Sequence, residues 1–290
     1  MNTVQRYKIV MQYYGTNYSG MESQEGALLP SVQQILEEAL SHLKLGHISI
    51  YPSCRTDTGV HALYNTAHFD LPEKQDGTVY EPSNIQKIMN YKLCDADVRV
   101  SKVEGVAGNY HSRYSTNKRK YMYRLVECFN DEDSSFHSLM YKNRAWTVDS
   151  RSGTRTLDVA IMHQAAQTLV GKKIDMTSFA KRSNALKKKL KTDSLERTMD
   201  EITVCTHVSD QQDVMNQCPH SHTSSREIRL YFEARSFLRN QIRILVHLLY
   251  MIGLGQIPVD SIKTCIESKS RNLTSKMAPP HGLYLINVTD

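Results

Sequence analysis

The sequence predicts an α+β protein made of two ferredoxin-like subdomains, each a β-α-β-β-α-β run. Three observations carry that reading. Short segments rich in β-formers alternate apolar and polar residues, as half-buried strands do. Between them lie stripes of apolar residues at a 3.6-residue spacing, the mark of helices with one buried face. The order strand, helix, strand, strand, helix, strand then comes round a second time. The expected division is 1–108 and 109–290. Two sheets of this kind can join edge to edge as one extended antiparallel sheet around a central cleft.

Arg6 to Tyr14 alternates and reads as the first strand, and Gly15-Thr16-Asn17-Tyr18-Ser19-Gly20 as the loop after it. Ser31 is a helix N-cap ahead of the stripe Val32, Ile35, Leu36, Ala39, Leu40 and Leu43. His47 to Tyr51 is the second strand. Ser53-Cys54-Arg55-Thr56-Asp57-Thr58-Gly59-Val60-His61-Ala62 follows with neither a helical nor a strand period, and the strand at 66–71 carries the chain away. Ser83 caps a second helix running to about Leu93, with Ile85, Ile88 and Met89 inward. Asp97 to Val106 closes the first run. The second run is a strand at 117–126, a helix at 157–170, and strands at 198–206 and 227–235. A long apolar helix at 237–254 ends at Gly253 and Gly255, a short helix follows Pro258, and the last strand is 283–288.

Composition narrows the function. The 290 residues are 40% hydrophobic, enough for a sizeable core. Lysine and arginine number 36 against 30 acidic residues, a net charge of +6 and a pI near 8.9, and the excess is clustered, as a polyanionic partner would require. Cys54, Cys94, Cys128, Cys205, Cys218 and Cys265 are scattered with no CxxC, so free thiols in a reducing intracellular compartment are expected. No apolar run reaches the roughly 18 residues of a membrane helix. The first strand begins too early for an amphipathic transit helix before it. Cys205, His207, Cys218, His220 and His222 are the one group with metal-ligand chemistry. Their spacing matches no known finger, so no metal is expected. Nothing in the pattern distinguishes a monomer from a homodimer, or cytoplasm from nucleus or mitochondrion.

The decapeptide 53–62 gathers a cation, a carboxylate, a glycine and an imidazole on a loop between strands, where chemistry tends to sit. Arg55, two residues from Asp57, is placed to keep that carboxylate ionised. On residue types alone, a surface turn with a local ion pair fits as well as a reactive loop. Arg243 lies among Ile242, Ile244, Leu245 and Val246, and a cation there needs a partner or a wet stripe. Lys187-Lys188-Lys189, and Lys118, Arg119 and Lys120, are basic clusters suited to phosphate or to plain solvation.

The string Arg55-Thr56-Asp57-Thr58-Gly59-Val60-His61-Ala62 resembles the G-R-T-D-A-G-V-H-A signature of the TruA-type tRNA pseudouridine synthases. Cys54 stands where that family usually has glycine and Thr58 where it has alanine. Tyr14-Gly15-Thr16 through Gly20 resembles its Y-D-G-T-x-F-x-G, with Met21 in place of a frequent tryptophan. His111-Ser112-Arg113 with Arg119 and Tyr121-Met122-Tyr123 resembles F-H-A-R-x-S-A…R-x-Y-x-Y. Asp175 to Phe179 resembles D-F-S-S-F. Phe237 to Arg243 resembles F-L-Y-H-M-V-R, with Arg239-Asn240 at the usual Tyr-His. Ala278-Pro279-Pro280-His281-Gly282-Leu283-Tyr284-Leu285 matches A-P-x-x-G-L-x-L. The departures at the motif lead and at Met21 resemble eukaryotic members more than bacterial ones.

The resemblance implies an isomerase, converting uridine to pseudouridine in tRNA or another structured RNA without a cofactor. It implies Asp57 as nucleophile, Tyr121 stacked on the target base and Arg243 paired with the aspartate. Arg55 would take the place of the extruded nucleotide. His61, Arg113, Lys118, Arg119, Lys187, Lys188 and Lys189 are the further residues expected to meet RNA. Asp70, in the same hairpin but outside the motif, is expected to be inert. A non-catalytic RNA chaperone of the same fold is the alternative, and the intact Asp57 argues against it.

Overall fold

The structure is a computed structural model that describes residues 4–43, 46–74, 76–129, 139, 141–150, 156–181, 195–207, 225–269, 274 and 276–290. The chain is mixed α/β with mostly antiparallel pairing, and its residues form two compact units. One comprises Met1–Lys120 with Tyr284–Asp290, the other Tyr121–Leu283.

The first unit follows the predicted order. It runs β1 (Val4–Tyr13), α1 (Val32–Ser41), β2 (Tyr51–Pro52), β3 (His61–Pro72), α2 (Pro82–Lys92) and β4 (Val98–Val106), then the single-turn α3 (Ser112–Ser115). The strand order is β4-β1-β3, with β2 on β3, and the start of β11 (Leu283–Thr289) pairs in parallel with the start of β3. Alternation along β1 and β3 buries Tyr7, Ile9, Met11, Phe69 and Leu71. Leu36 and Leu40 of α1 and Ile85 and Met89 of α2 are buried with them. Ser31 caps α1 with a reciprocal capping box to Gln34.

Two local expectations change. The second strand shrinks to two residues because Ile50, just before it, bonds elsewhere. The Ile50 amide donates to Glu37 Oε1 at 2.9 Å and its carbonyl accepts from Gln33 Nε2 at 3.1 Å, both side chains of α1. Helix α2 starts two residues earlier than a Ser83 cap allows. Glu81 is the N-cap, and Pro82 takes the first turn, where a missing N–H costs nothing.

In the second unit β5 (Lys118–Cys128) pairs in parallel with β6 (Trp146–Asp149), and the order continues β5-β10-β9 through β10 (Ser225–Ala234) and β9 (Glu201–His207). β7 (Lys173–Asp175) and β8 (Glu196–Thr198) form a separate small ladder. Helices α4 (Val159–Gln167) and α5 (Gln241–Gly253) pack together, and α6 (Ser261–Ser268) follows. Helix α5 begins four residues later than the apolar run at 237–254 predicts. Asn240 takes the left-handed conformation (φ 60°), and Gln241 Oε1 accepts the Leu238 amide at 2.7 Å, so Phe237–Asn240 is a turn. Strands β6, β7 and β8 are additions to the predicted run. No helix among the described residues is long and apolar enough to cross a membrane.

Candidate active site

The decapeptide loop leaves β2 and enters β3, as predicted, and its shape is set by backbone contacts. The Asp57 carbonyl accepts the Val60 amide at 3.1 Å, a tight turn, and Gly59 supplies its left-handed residue (φ 77°). The segment Gly15–Met21 lies directly against this turn. Met21 N donates to Thr56 O at 3.1 Å, Thr58 Oγ1 donates to Ser19 O at 2.7 Å, and Gly20 bridges Asp57. A Cβ on Gly15 would sit 2.0 Å from Val60 O, and one on Gly20, itself at φ +119°, 2.7 Å from Thr56 O. Both glycines are therefore needed to let two backbones meet.

Beneath the loop is a closed polar network. Tyr13 Oη and Thr56 Oγ1 are 2.8 Å apart. Asn65 Nδ2 donates to Cys54 O at 3.0 Å and to Tyr13 Oη at 3.3 Å, and Asn65 Oδ1 accepts from Ser53 Oγ at 3.0 Å. Burial pushes the Tyr13 phenol well up, so it stays neutral and serves as a hydrogen-bonding post. The residue pattern alone assigns neither Asn65 nor Tyr13 a role. The available signal was the polar Asn65-Thr66 pair inside a strand, between Leu63-Tyr64 and Ala67.

Asp57 is half-buried at the loop tip. Arg55 is exposed, and its guanidinium forms an ion pair with Glu22. The ion pair expected between Arg55 and Asp57 is thus replaced by one to the segment that braces the loop. His61, expected at an RNA surface, is fully buried. Its Nδ1 accepts the Gly15 amide at 2.9 Å, and its ring lies 4.6 Å from that of Tyr284 and 5.6 Å from that of Tyr14. The histidine ties the bracing segment to β3.

The other cations expected to meet RNA lie close by in the first unit. Arg113 and Lys118 are exposed. Arg119 Nη2 donates to Ser53 O at 3.2 Å, at the root of the motif loop, and reaches Arg113 O at 3.5 Å. Ser112 is fixed from below, its amide 3.2 Å and its hydroxyl 3.1 Å from His68 Nδ1. Burial, with Arg6 and His111 adding to it, pushes His68 down to about 4, so it is neutral at physiological pH. Lys187, Lys188 and Lys189 lie outside the described residues, as do Cys218, His220 and His222. No group of three or more potential metal ligands occurs among the described residues.

In the second unit Tyr121 is nearly buried on β5, edge-on to Phe237 with ring centres 5.3 Å apart. Arg243 sits on the half-buried face of α5. Its Nε donates to Ala278 O at 2.8 Å, and its own carbonyl accepts the Ala278 amide at 2.9 Å. The cation in the apolar helix thus grips the Ala278–Gly282 loop. Tyr123 Oη donates to Pro279 O at 2.9 Å, and its ring fills the space where a Gly282 Cβ would fall.

A carboxylate set on a braced loop between paired strands, beside exposed cations, is the build of an enzyme site in a mixed α/β protein. The sequence profile of the tRNA pseudouridine synthases matches residues 9–115 and 165–289, which include Asp57 and Arg243 but leave Tyr121 in the gap between. The chain is 33% identical over 283 residues to tRNA pseudouridine synthase A of Ehrlichia canis, covering 98% of this chain and 99% of that one. Its counterparts in Anaplasma marginale and Afipia carboxidovorans are each 32% identical over 283 residues, at 98% of this chain and 99% and 98% of theirs. The chain belongs to the tRNA pseudouridine synthase family. Among solved structures, an unknown protein from Galdieria sulphuraria covers 90% of the chain at 9% identity, with a TM-score of 0.20 that carries no fold argument.

Proposed function

We propose that the protein isomerises uridine to pseudouridine in tRNA or a tRNA-like RNA, with Asp57 as its nucleophile. Family membership makes it an isomerase. The observation that carries the nucleophile is the motif loop itself. Asp57 stands at the tip of a turn whose backbone is held by Gly15–Met21 on one side and by the Tyr13–Asn65 network below. Preorganisation of this kind is what a reacting group needs.

In the reaction the N1–C1′ bond breaks, the uracil turns, and C5 bonds to C1′. N1 gains a proton and C5 loses one, so the atoms balance with no redox partner or metal. The Asp57 carboxylate attacks either C1′ or the base, and both routes need it ionised. In the proposed site Arg243 pairs with Asp57, and Tyr121 presents its ring to the extruded uracil. Arg55 fills the vacated stack, for which it must leave Glu22. That pair is exposed and worth only about 0–1 kcal/mol, so exchange for an RNA contact is cheap. Arg113, Lys118, Arg119 and Lys187–Lys189 meet phosphates, while His61 acts as a brace. We also read each unit as ferredoxin-like. The β1-α1-β2-β3-α2-β4 order and the β4-β1-β3 sheet support this for the first.

Tritium release from 5-³H-uridine tRNA, followed by mapping of the modified position, tests the proposal. Release with pseudouridine at a defined tRNA position is expected. Tight tRNA binding with no release from any tRNA would hand the protein to the chaperone reading.

A further inference from the structure

Two tyrosines of the first unit hold their rings in solvent beside the motif loop, and nothing in the scheme above uses them. Tyr51, on β2, is 49% exposed and Tyr114, on α3, 77%. Single exposed rings are ordinary. These two flank His111, whose ring centre is 4.4 Å from Tyr114 and 6.5 Å from Tyr51. Tyr51 in turn stacks on buried His68 at 5.1 Å with the planes 24° apart.

The cluster is fixed from beneath. Arg6 holds Asp70 through two hydrogen bonds at 2.7 and 2.8 Å. It also donates to the carbonyls of Gly108 at 2.8 Å and Tyr110 at 2.7 Å, pinning the turn that leads into α3. The Arg113 amide donates to His111 Nδ1 at 3.2 Å, which fixes that ring and leaves the Arg113 side chain exposed. Arg119 ties the cluster to the motif, its guanidinium reaching both Arg113 O and Ser53 O. Tyr51 is two residues before Ser53 and six before Asp57.

We propose that Tyr51, His111 and Tyr114 form a stacking platform for an unpaired base of the substrate RNA next to the target uridine, with Arg113 on its phosphate. The proposal rests on the reading of this chain as an enzyme of RNA. Preset aromatic faces beside cations suit unpaired bases, because every base has a face to stack and little side-chain freedom is lost on contact. A base drawn out of its helix leaves neighbours unstacked, and the platform offers one of them a surface.

The test is equilibrium binding of a tRNA transcript to Tyr51→Ala, Tyr114→Ala, the double variant, the matching phenylalanine variants, and Arg113→Ala. Tyr91→Ala is the control, a tyrosine on α2 that is 75% exposed. The alanine variants should each weaken binding about ten-fold with an unchanged salt slope, and phenylalanine should restore it. Arg113→Ala should weaken binding and flatten the slope by about one. Both tyrosines are exposed, so unchanged melting curves will show that the fold survives. Binding of the double variant within two-fold of wild type overturns the platform and gives the rings to a protein partner. Phenylalanine variants as weak as alanine, or an equal loss in Tyr91→Ala, also overturn it. Binding is read apart from turnover. A wild type that binds tRNA without tritium release, while the double variant binds it weakly, sinks the catalytic reading and leaves the platform. Turnover with normal binding in the double variant does the reverse.

Discussion

Asn65→Ala should cost the protein about 3 kcal/mol of stability and most of its turnover, though Asn65 never touches substrate in the proposed scheme. The side chain is fully buried and makes four hydrogen bonds, to Ser53 Oγ, Thr66 N, Cys54 O and Tyr13 Oη. Alanine removes all four, while Tyr13 keeps Thr56 Oγ1 at 2.8 Å. At about 1 kcal/mol for each of the other three buried hydrogen bonds lost, the sum is about 3 kcal/mol. Tyr13→Phe, which strips one partner from Thr56 and one from Asn65, should cost about 1 kcal/mol. The double variant should cost less than the sum, because the two side chains share a bond. Turnover should fall about 100-fold in Asn65→Ala, since the loop that aims Asp57 loses its floor and an ångström of misplacement is worth that much. Unfolding is best followed by far-UV circular dichroism with amide exchange at residues 53–60. The single tryptophan, Trp146, lies in the other unit and would miss a local loss. A variant within 0.5 kcal/mol of wild type, with unchanged exchange at those amides, would show that the network does not hold the loop and refute the reasoning.

Other expectations follow from the same geometry. Asp57→Asn should abolish tritium release while keeping tRNA affinity, and combining it with Arg243→Ala should add little further loss; additive losses would separate the pair. His68 protonates at about 4 in the fold but near 6.5 when unfolded, so its contribution is present above 6.5 and lost as pH falls towards 4. Urea midpoints should therefore drop between pH 6.5 and 5, and less steeply in His68→Gln; parallel profiles would refute this. Alanine at Lys187, Lys188 and Lys189 together should weaken tRNA binding and flatten its salt dependence, and an unchanged slope would make the segment a solvated loop. Strong chelator should leave the initial rate unchanged, and loss restored only by zinc would return attention to Cys205 and His207.

Most elements of the first unit were legible because β1, β3 and β4 are long enough to show alternation and α1 carries a capped stripe. The failures share one cause, that a pattern of side chains does not say where backbone groups bond. His47–Ile50 alternates like a strand, yet Glu37 and Gln33 take the backbone hydrogen bonds of Ile50. Phe237–Asn240 continues an apolar run, yet Asn240 turns left-handed and the helix waits for Gln241. Strands β6, β7 and β8 span only three or four residues, too few for any period.

For the site, residue types pointed to the loop but not to its wiring. Arg55 and Asp57 are near in sequence, yet Glu22, 33 residues away, takes the guanidinium. Asp70 looked inert because it lies outside the motif. It holds Arg6, which pins the turn before His111, and that hydrogen bonding keeps its carboxyl below the usual range. Asp70 therefore stabilises the fold above the ordinary carboxylate range and loses that contribution as pH falls through its lowered value. Gly15, Gly20 and Gly59 are not chemical groups, but two of them admit a neighbouring backbone within Cβ distance and the third turns the chain after Asp57. A side chain at any of the three would move the carboxylate without altering one reacting atom, so the motif's glycines and its aspartate form a single mechanical unit.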